Sequence, residues 1–198
     1  SGKWISYDEL IILKGIAEII ERYYNSGRFA VSIEYLIREY FQTPFDFYEG
    51  FYLFHKKNGY LDINIGLRDL YVLLDNYSVE FISEIDRKIL RQLMKLDFLS
   101  SDNSGRLPEF LSGKADSGFN DLCFEFLKNS ENIKRFLPLY TGMPAKQIFK
   151  SVHFEKFDID VLDKDGYKKD GQKATVLLFD YMARDKVTGR YTFHKVEL

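Results

Sequence analysis

The residue types most able to act as nucleophiles, bases or metal ligands are one cysteine and three histidines in a chain of 198 residues. Cys123 lies on a predicted apolar helix with no evident base beside it, so we expect a small buried thiol rather than a nucleophile. His55, His153 and His194 do not have the spacing of metal ligands. His153 and His194 would face one another if the first and third predicted strands were neighbours. Two histidines alone make a poor metal site, so we expect packing or surface roles for them.

The acidic residues of the segments 163–166 and 170–171 resemble those of a calcium-binding loop. Carboxylate oxygens are the ligands that a hard cation such as calcium prefers. The register of such a loop does not fit. With Gly166 at its glycine position, the first ligand position falls on Val161 and the last on Gln172. Asp-Gly pairs are typical of turns, and we therefore predict a hairpin turn here.

An aromatic-rich stretch is the main physical indication of an interaction surface. It comprises Tyr23, Tyr24, Phe29, Tyr35, Tyr40, Phe41, Phe45, Phe47, Tyr48, Phe51, Tyr52 and Phe54. Helical spacing assigns most of these side chains to a core. A remainder could form an exposed patch that docks on another domain, since aromatic residues are enriched at the centres of interfaces.

The composition indicates a globular chain without a strong charge bias. Hydrophobic residues make up 45% and aromatic residues 17%, enough for one sizeable core or a core with a smaller satellite. A formal net charge of -2 provides no basic field for nucleic acid. No apolar run is long enough to span a bilayer, no signal peptide is evident, and a lone cysteine fits a reducing cytoplasm. Residues 1–3 resemble a tag or linker remnant, and the missing initiator Met suggests an excised fragment.

Helices are predicted over the first part of the chain. Ser6 and Glu9 have the spacing of a capping box, and the segment 25–27 predicts the end of this first helix because glycine tolerates a left-handed backbone. Apolar residues recur within it at helical spacing: Leu10, Leu13, Ile16, Ile20 and Tyr23. Further helices are predicted over 30–41, 45–58 (opened by Pro44), 67–99 (two helices broken near 76–78), 119–135 and 144–150. Residues 100–118 are predicted as a loop or linker.

The last part of the chain is rich in β-branched and aromatic residues, separated by turns that contain glycine. We predict three antiparallel strands over 152–161, 173–183 and 189–198. A change of alternation phase in the first strand predicts a bulge near Lys156. The run 175–179 is apolar on both sides of the pleat and is predicted to be central.

These elements predict an α+β fold, a helical bundle followed by a small three-stranded antiparallel sheet. Residues 4–111 are assigned to the bundle and residues 112–198 to a helix plus the sheet. We expect the sheet to pack on the bundle as one domain, because apolar strand faces must be covered.

Six short strings occur in order along the chain: 4–10 (WISYDEL), 21–29 (ERYYNSGRF), 44–49 (PFDFYE), 68–71 (RDLY), 95–99 (KLDFL) and 107–110 (LPEF). Together they resemble the domain of unknown function that follows the catalytic barrel in a group of cobalamin-binding radical S-adenosylmethionine (radical SAM) proteins. The resemblance covers residues 4–111 well and the remainder more loosely.

The resemblance implies a parent chain with a cobalamin-binding domain and a radical SAM barrel, and hence a 4Fe-4S cluster, S-adenosylmethionine and cobalamin as parent cofactors. The cluster motif needs three cysteines, and the sequence contains one. The cobalamin motif Asp-x-His-x-x-Gly is also missing at all three histidines. No catalytic, cofactor-binding or metal-binding residue is therefore assigned to this chain.

We expect a non-catalytic C-terminal accessory domain that covers or shapes the active site of the barrel, with the radical SAM and cobalamin-binding domains of its own chain as partners. The alternative is a docking or dimerisation module with an exposed aromatic patch. A third hypothesis, an independent enzyme, would need an acidic pair in a concave pocket. Its candidate residues are Asp46, Glu49 and Asp69.

Overall fold

The computed structural model describes residues 5–113, 117–167 and 174–198. Within these ranges eight α-helices precede a three-stranded antiparallel sheet, which confirms the predicted α+β class. The chain forms two compact units, Ser1–Asp97 and Phe98–Leu198. The division near residue 111 and the packing as one domain stay predictions. Residues 1–3, Trp4 and the segment 170–171 lie outside the described residues.

The first helix, α1, spans Tyr7–Ile19 and begins where the sequence predicts. The Ser6 N–H donates to a Glu9 carboxylate oxygen at 2.7 Å, and the Glu9 N–H donates to Ser6 Oγ at 3.2 Å, which confirms the capping box. A π-helical segment, Ile20–Asn25, continues α1. The chain then turns at Gly27, whose φ of 68° lies in the left-handed region, as the segment 25–27 predicts.

Helices α2 (Ala30–Tyr40) and α3 (Pro44–Lys57) lie where they are predicted. The residue before α2 provides no side-chain cap. Instead Asp97, fully buried, accepts hydrogen bonds from the Val31 N–H at 3.1 Å and from the Ser32 N–H at 2.8 Å. The first amides of a helix have no partner within it, so this distant carboxylate completes the start of α2.

Helix α4 spans Leu67–Phe81 and helix α5 spans Arg87–Ser101. Two helices were predicted here, but the predicted break near 76–78 is wrong because it falls inside α4. Ser78 does not end α4, because its hydroxyl donates back to the Leu74 carbonyl at 2.7 Å within the helix. The break lies between the two helices, where Glu84 has a φ of 59°. Asp86 then accepts a hydrogen bond from the Ile89 N–H at 3.0 Å and caps α5.

Aromatic rings build the core of the unit Ser1–Asp97. Tyr23 and Phe51 have ring centroids 4.6 Å apart, Phe51 and Tyr77 4.7 Å, and Phe29 and Tyr71 4.3 Å. All five side chains are at most 1% exposed. Because large rings remove much apolar area from water and such pairs add about 0.5–1.5 kcal/mol each, this cluster is a main source of stability.

The unit Phe98–Leu198 contains α6 (Phe119–Lys128), α7 (Ser130–Phe136) and α8 (Ala145–Ile148), with 3₁₀ turns at Glu109–Leu111 and Pro138–Tyr140. The single helix predicted over 119–135 is therefore wrong. Asn129 interrupts it, because its side-chain oxygen accepts a hydrogen bond from the Glu131 N–H at 2.9 Å and starts a new helix.

The sheet consists of β1 (Val152–Phe157), β2 (Thr175–Arg184) and β3 (Tyr191–Val196) in the order β1-β2-β3. The run 175–179 lies in the central strand, as predicted. The predicted bulge near Lys156 is wrong, because Lys156 pairs with Val176 in an uninterrupted register that continues to Phe157. The irregularity lies instead in β2, between Asp180 and Arg184.

Both faces of this sheet are buried. On one face, Phe154 and Leu178 belong to a cluster that also contains Cys123 and Phe126 of α6. On the other face Phe157, Leu177 and Phe179 are completely buried. Burial of Phe157 on this second face explains the change of phase that the sequence indicates as a bulge. No helix among the described residues is both long and apolar enough to cross a membrane.

Candidate functional site

The most conspicuous surface of the unit Ser1–Asp97 lies at the start of α1. We name it the α1 face and define it by five exposed apolar residues: Ile5, Tyr7, Leu10, Ile11 and Leu13. Tyr7 is 77% exposed, Ile5 58% and Leu10 51%. The buried residues of α1 are Gly15, Ile16 and Ile19, so its first two turns present their apolar side chains to solvent. Contiguous exposed apolar side chains of this kind mark interaction sites.

The sequence places Leu10 and Leu13 on the same helical stripe as Ile16 and Tyr23, yet only Ile16 and Tyr23 are buried. Spacing shows which residues share a side of a helix but not whether another element covers that side. A signal for the α1 face was present in the sequence. The four consecutive apolar residues 10–13 cannot all point to one core from a helix.

The aromatic stretch is mostly core, as predicted. Of its twelve members only Tyr24, at 66%, and Phe45, at 50%, are among the exposed large apolar side chains of the described residues. The predicted exposed remainder is thus small. A further set of exposed apolar side chains, mainly aliphatic, begins before the aromatic stretch, on the α1 face.

Cys123 is 1% exposed in the core of the unit Phe98–Leu198. Burial raises the pKa of its thiol to about 12, so the thiol is protonated at neutral pH. Because the thiolate is the nucleophilic form, Cys123 has the buried apolar role expected from its helix.

His153 and His194 do not meet. β1 and β3 lie on opposite sides of β2, and His153 pairs with Phe179 whereas His194 pairs with Leu178, the next residue along β2. Successive residues of a strand point to opposite faces, so the two imidazoles lie on different faces of the sheet. His153 Nε2 lies 3.0 Å from Glu155 Oε2.

His55, for which the sequence indicates no role, packs in the core of the unit Ser1–Asp97. It is completely buried, its Nδ1 lies 2.9 Å from the Phe51 carbonyl oxygen, and its Nε2 lies 3.3 Å from the Tyr23 hydroxyl. Burial lowers the pKa of His55 to about 4, so the ring is neutral. One nitrogen then donates to the carbonyl and the other accepts from Tyr23.

The candidate carboxylates are exposed in the unit Ser1–Asp97. Asp46 accepts hydrogen bonds from Thr43 and completes the capping box of α3, while Glu49 and Asp69 are exposed. In the segment 163–166 the Gly166 N–H donates to the Asp163 carbonyl at 3.0 Å, which forms a turn. Among the described residues no group of three or more His, Cys, Asp or Glu side chains is placed to hold a metal ion.

A buried ion-pair cluster was not visible in the sequence. Asp75 of α4 is 3% exposed and lies 2.6 Å from Arg87 Nη2 and 2.9 Å from Arg91 Nη2 of α5. Burial alone would raise the pKa of Asp75, but hydrogen bonds from the two guanidinium groups outweigh it and hold that pKa below its ordinary value. This arrangement joins two helices, and it presents no unpaired charge to a ligand.

A family model described as "protein of unknown function (DUF4080)" matches residues 1–188. The chain belongs to the DUF4080 family. No curated protein and no solved structure matches this DUF4080 chain. The description of the family assigns no activity, so the link to radical SAM proteins rests on the sequence resemblance.

The DUF4080 chain does not fit an iron-sulfur cluster. Three cysteine thiolates would be needed, whereas the sequence contains only Cys123, which is buried and protonated. The described residues likewise contain no histidine in the cobalamin motif. What the DUF4080 chain does present is a set of exposed apolar side chains on the α1 face.

Proposed function

We propose that this DUF4080 chain is a non-catalytic accessory domain of a cobalamin-dependent radical SAM enzyme, and that the α1 face docks on the catalytic part of the same polypeptide. The exposure of the α1 face carries the proposal, because apolar side chains at the start of a helix need a cover. The resemblance of residues 4–10 and the later strings to the domain that follows such barrels supports the choice of partner.

The energy available at the α1 face favours a covalently linked partner. Complete burial of a large apolar side chain contributes roughly 1.5–3 kcal/mol. Five side chains that are about half exposed therefore offer on the order of 5 kcal/mol. A free partner would bind with a dissociation constant of about 0.1 mM or weaker, before the costs of association are subtracted. A tethered domain is present at an effective concentration in the millimolar range, so the same face suffices for it.

The role of the domain is then physical rather than chemical. Radical intermediates react with water and stray molecules, so the open side of a barrel that generates them must be closed. The chain supplies an apolar cover, and the parent's own residues and cofactors supply the reaction. A cytoplasmic location, with its reducing conditions, is part of this proposal.

A second candidate function is dimerisation through the same face. Tyr7, Leu10, Ile11 and Lys14 follow one another along one side of α1. In an antiparallel pair of α1 helices, Lys14 of each copy would lie by Tyr7 of the other, with Leu10 facing Ile11 at the centre. Such an order is self-complementary, as two-fold contacts require, and it adds a cation-π pair at each end.

The proposal is tested by charging the α1 face in the native protein that carries this domain. Leu10→Lys is compared with Leu53→Lys on α3, because both leucines are 51% exposed in this chain. The assay measures reductive cleavage of S-adenosylmethionine and the fraction of cleavage that leads to product. We expect Leu10→Lys to lower that fraction and Leu53→Lys to leave it unchanged.

Two results would contradict the proposal. One is equal behaviour of the two variants, and the other is a native protein without iron and without cleavage activity. Sedimentation of the chain alone separates the candidates: a dimer that Leu10→Lys dissociates supports the second function, whereas a monomer at all concentrations excludes it.

A further inference from the structure

The outer edge of the sheet in the unit Phe98–Leu198 is a surface that the proposed function does not use. Among the described residues, the strand order β1-β2-β3 leaves β3 (Tyr191–Val196) with a neighbouring strand on one side only. An edge strand presents a row of unpaired N–H and C=O groups, and a further strand can add to them. The residues of β3 that point away from β2 therefore define what this edge can bind.

Backbone alternation identifies the outward residues of β3. In an antiparallel pair the N–H and C=O of one residue point to the neighbouring strand, and those of the next residue point away from it. The Asp185 N–H, just after β2, donates to the Arg190 carbonyl at 2.8 Å. Arg190, just before β3, thus points toward β2. Along β3 the residues that point outward are then Tyr191, Phe193 and Lys195.

Bonds on the other side of β2 give the same assignment. The Tyr181 N–H donates to the Ser151 carbonyl at 3.0 Å, on the side of β1. The preceding residue, Asp180, then points toward β3, where it pairs with Thr192. Since Thr192 points inward, its two neighbours in β3 point outward.

The outward backbone groups of β3 are open to a partner strand. Among the described residues, no loop or turn forms a backbone hydrogen bond with Tyr191, Phe193 or Lys195. Phe193 is partly exposed and Lys195 is exposed. Edge strands are commonly protected by proline or by lysine charges. β3 contains no proline, and Lys195 Nζ lies 2.6 Å from Asp160 Oδ2, so its charge is compensated within the chain.

We propose that the β3 edges of two copies of this chain pair antiparallel about a two-fold axis at Phe193. Phe193 then exchanges both backbone bonds with Phe193 of the second copy, and Tyr191 exchanges both with Lys195 of the second copy. This register engages all the outward residues of β3. Each copy uses the same surface, as a two-fold contact requires, and the two sheets join into one. The contact uses a different surface from the α1 face and does not depend on it.

The side chains that meet across this contact favour a second copy as the partner. Phe193 lies opposite Phe193, Thr192 opposite His194, and Tyr191 opposite Lys195. Aromatic pairs directly opposite one another are stabilising, whereas like charges in such positions are destabilising. The two Lys195 residues are offset by four positions, roughly 14 Å along the strand, which exceeds the screening length of about 8 Å at physiological salt. The register therefore brings no like charges together.

The register is tested with single cysteines in the full chain. Phe193→Cys puts two thiols in directly opposed positions, with Cα atoms about 5.5 Å apart, which a disulfide can bridge. Thr192→Cys is the matched control, because Thr192 is also partly exposed but lies opposite His194, so its two copies are about 7–8 Å apart. With oxidised glutathione we expect a disulfide-linked dimer of Phe193→Cys only, seen by non-reducing electrophoresis. Cys123 is buried and does not compete.

A pair of substitutions at Lys195 tests the backbone bonds without changing the Phe193 ring, whose centroid lies 5.5 Å from that of Phe179. Lys195→Pro and Lys195→Ala both remove the ion pair with Asp160, but only proline also removes the outward N–H. Because that N–H takes no part in the pairing with β2, proline is tolerated there. Loss of one backbone bond at each end of the contact should raise the dimer dissociation constant of Lys195→Pro about tenfold or more relative to Lys195→Ala, measured by sedimentation equilibrium.

The unchanged chain should sediment as a monomer and dimer in equilibrium, and a chain that stays monomeric at the highest measurable concentration would overturn the proposal. Equal cross-linking of the two cysteine variants, or equal dissociation constants of the two Lys195 variants, would also overturn it. Leu10→Lys separates this contact from the α1 face and should leave the β3 dimer intact. A dimer that Leu10→Lys dissociates would assign self-association to the α1 face instead.

Discussion

Replacing Asp75 by Asn tests whether the ion-pair cluster between α4 and α5 stabilises the first unit. Breaking a fully buried ion pair costs about 3–5 kcal/mol. The side chains of Arg87 and Arg91 are 44% and 32% exposed, so water compensates much of their loss. We therefore expect Asp75→Asn to lower the free energy of unfolding by about 2–3 kcal/mol. Urea denaturation followed by circular dichroism measures this difference.

The control is Glu80→Gln on the same helix. Glu80 pairs with Lys57 at 2.7 Å, but the side chains are 42% and 66% exposed, so the loss should be about 0–1 kcal/mol. The pKa of Asp75 is below its ordinary value when folded, so its contribution is complete above that ordinary value and is lost as the pH falls through the folded pKa. The difference between Asp75→Asn and the unchanged chain should shrink at acidic pH. Equal costs for Asp75→Asn and Glu80→Gln at neutral pH would refute this reasoning.

Two further substitutions and one labelling experiment test the packing. Gly15→Ala should destabilise the chain by about 1–3 kcal/mol, because the new Cβ would clash with the buried Tyr52 ring; an unchanged melting temperature contradicts this. Tyr48→Phe should stabilise it by about 1 kcal/mol in urea denaturation, since its buried hydroxyl has no partner among the described residues, and a loss of stability would show that the hydroxyl is bonded. Cys123 should resist a thiol reagent at pH 8 until the chain is unfolded, because burial raises its pKa to about 12; rapid labelling of the folded chain is the opposite result.

Local signals were sufficient to predict several element boundaries. The capping box of Ser6 and Glu9 and the turn at Gly27 depend on residues within one helical turn, and both are confirmed. The central strand was recognisable because 175–179 is apolar on both sides, as a strand with two covered faces requires.

Features that depend on distant residues could not be predicted. The start of α2 is capped by Asp97, more than sixty residues further along the chain. The irregularity in β2 depends on the bond from Tyr140 to Asp180, whereas the phase change near Lys156 reflects only a second buried face. For the α1 face the only signal was the run of four apolar residues 10–13, because helical spacing by itself cannot reveal that a cover is missing.

The most direct test of the central claim is hydrogen-deuterium exchange over residues 7–15, measured in the isolated chain and in the native protein that carries it. If the α1 face docks on the catalytic part, opening of this helix becomes less favourable, and its amides exchange more slowly in the native protein. With a dissociation constant of about 0.1 mM and an effective concentration of about 1 mM, exchange of these amides should slow roughly tenfold. Equal exchange in both proteins would show that nothing in the native protein covers the α1 face and would contradict the account.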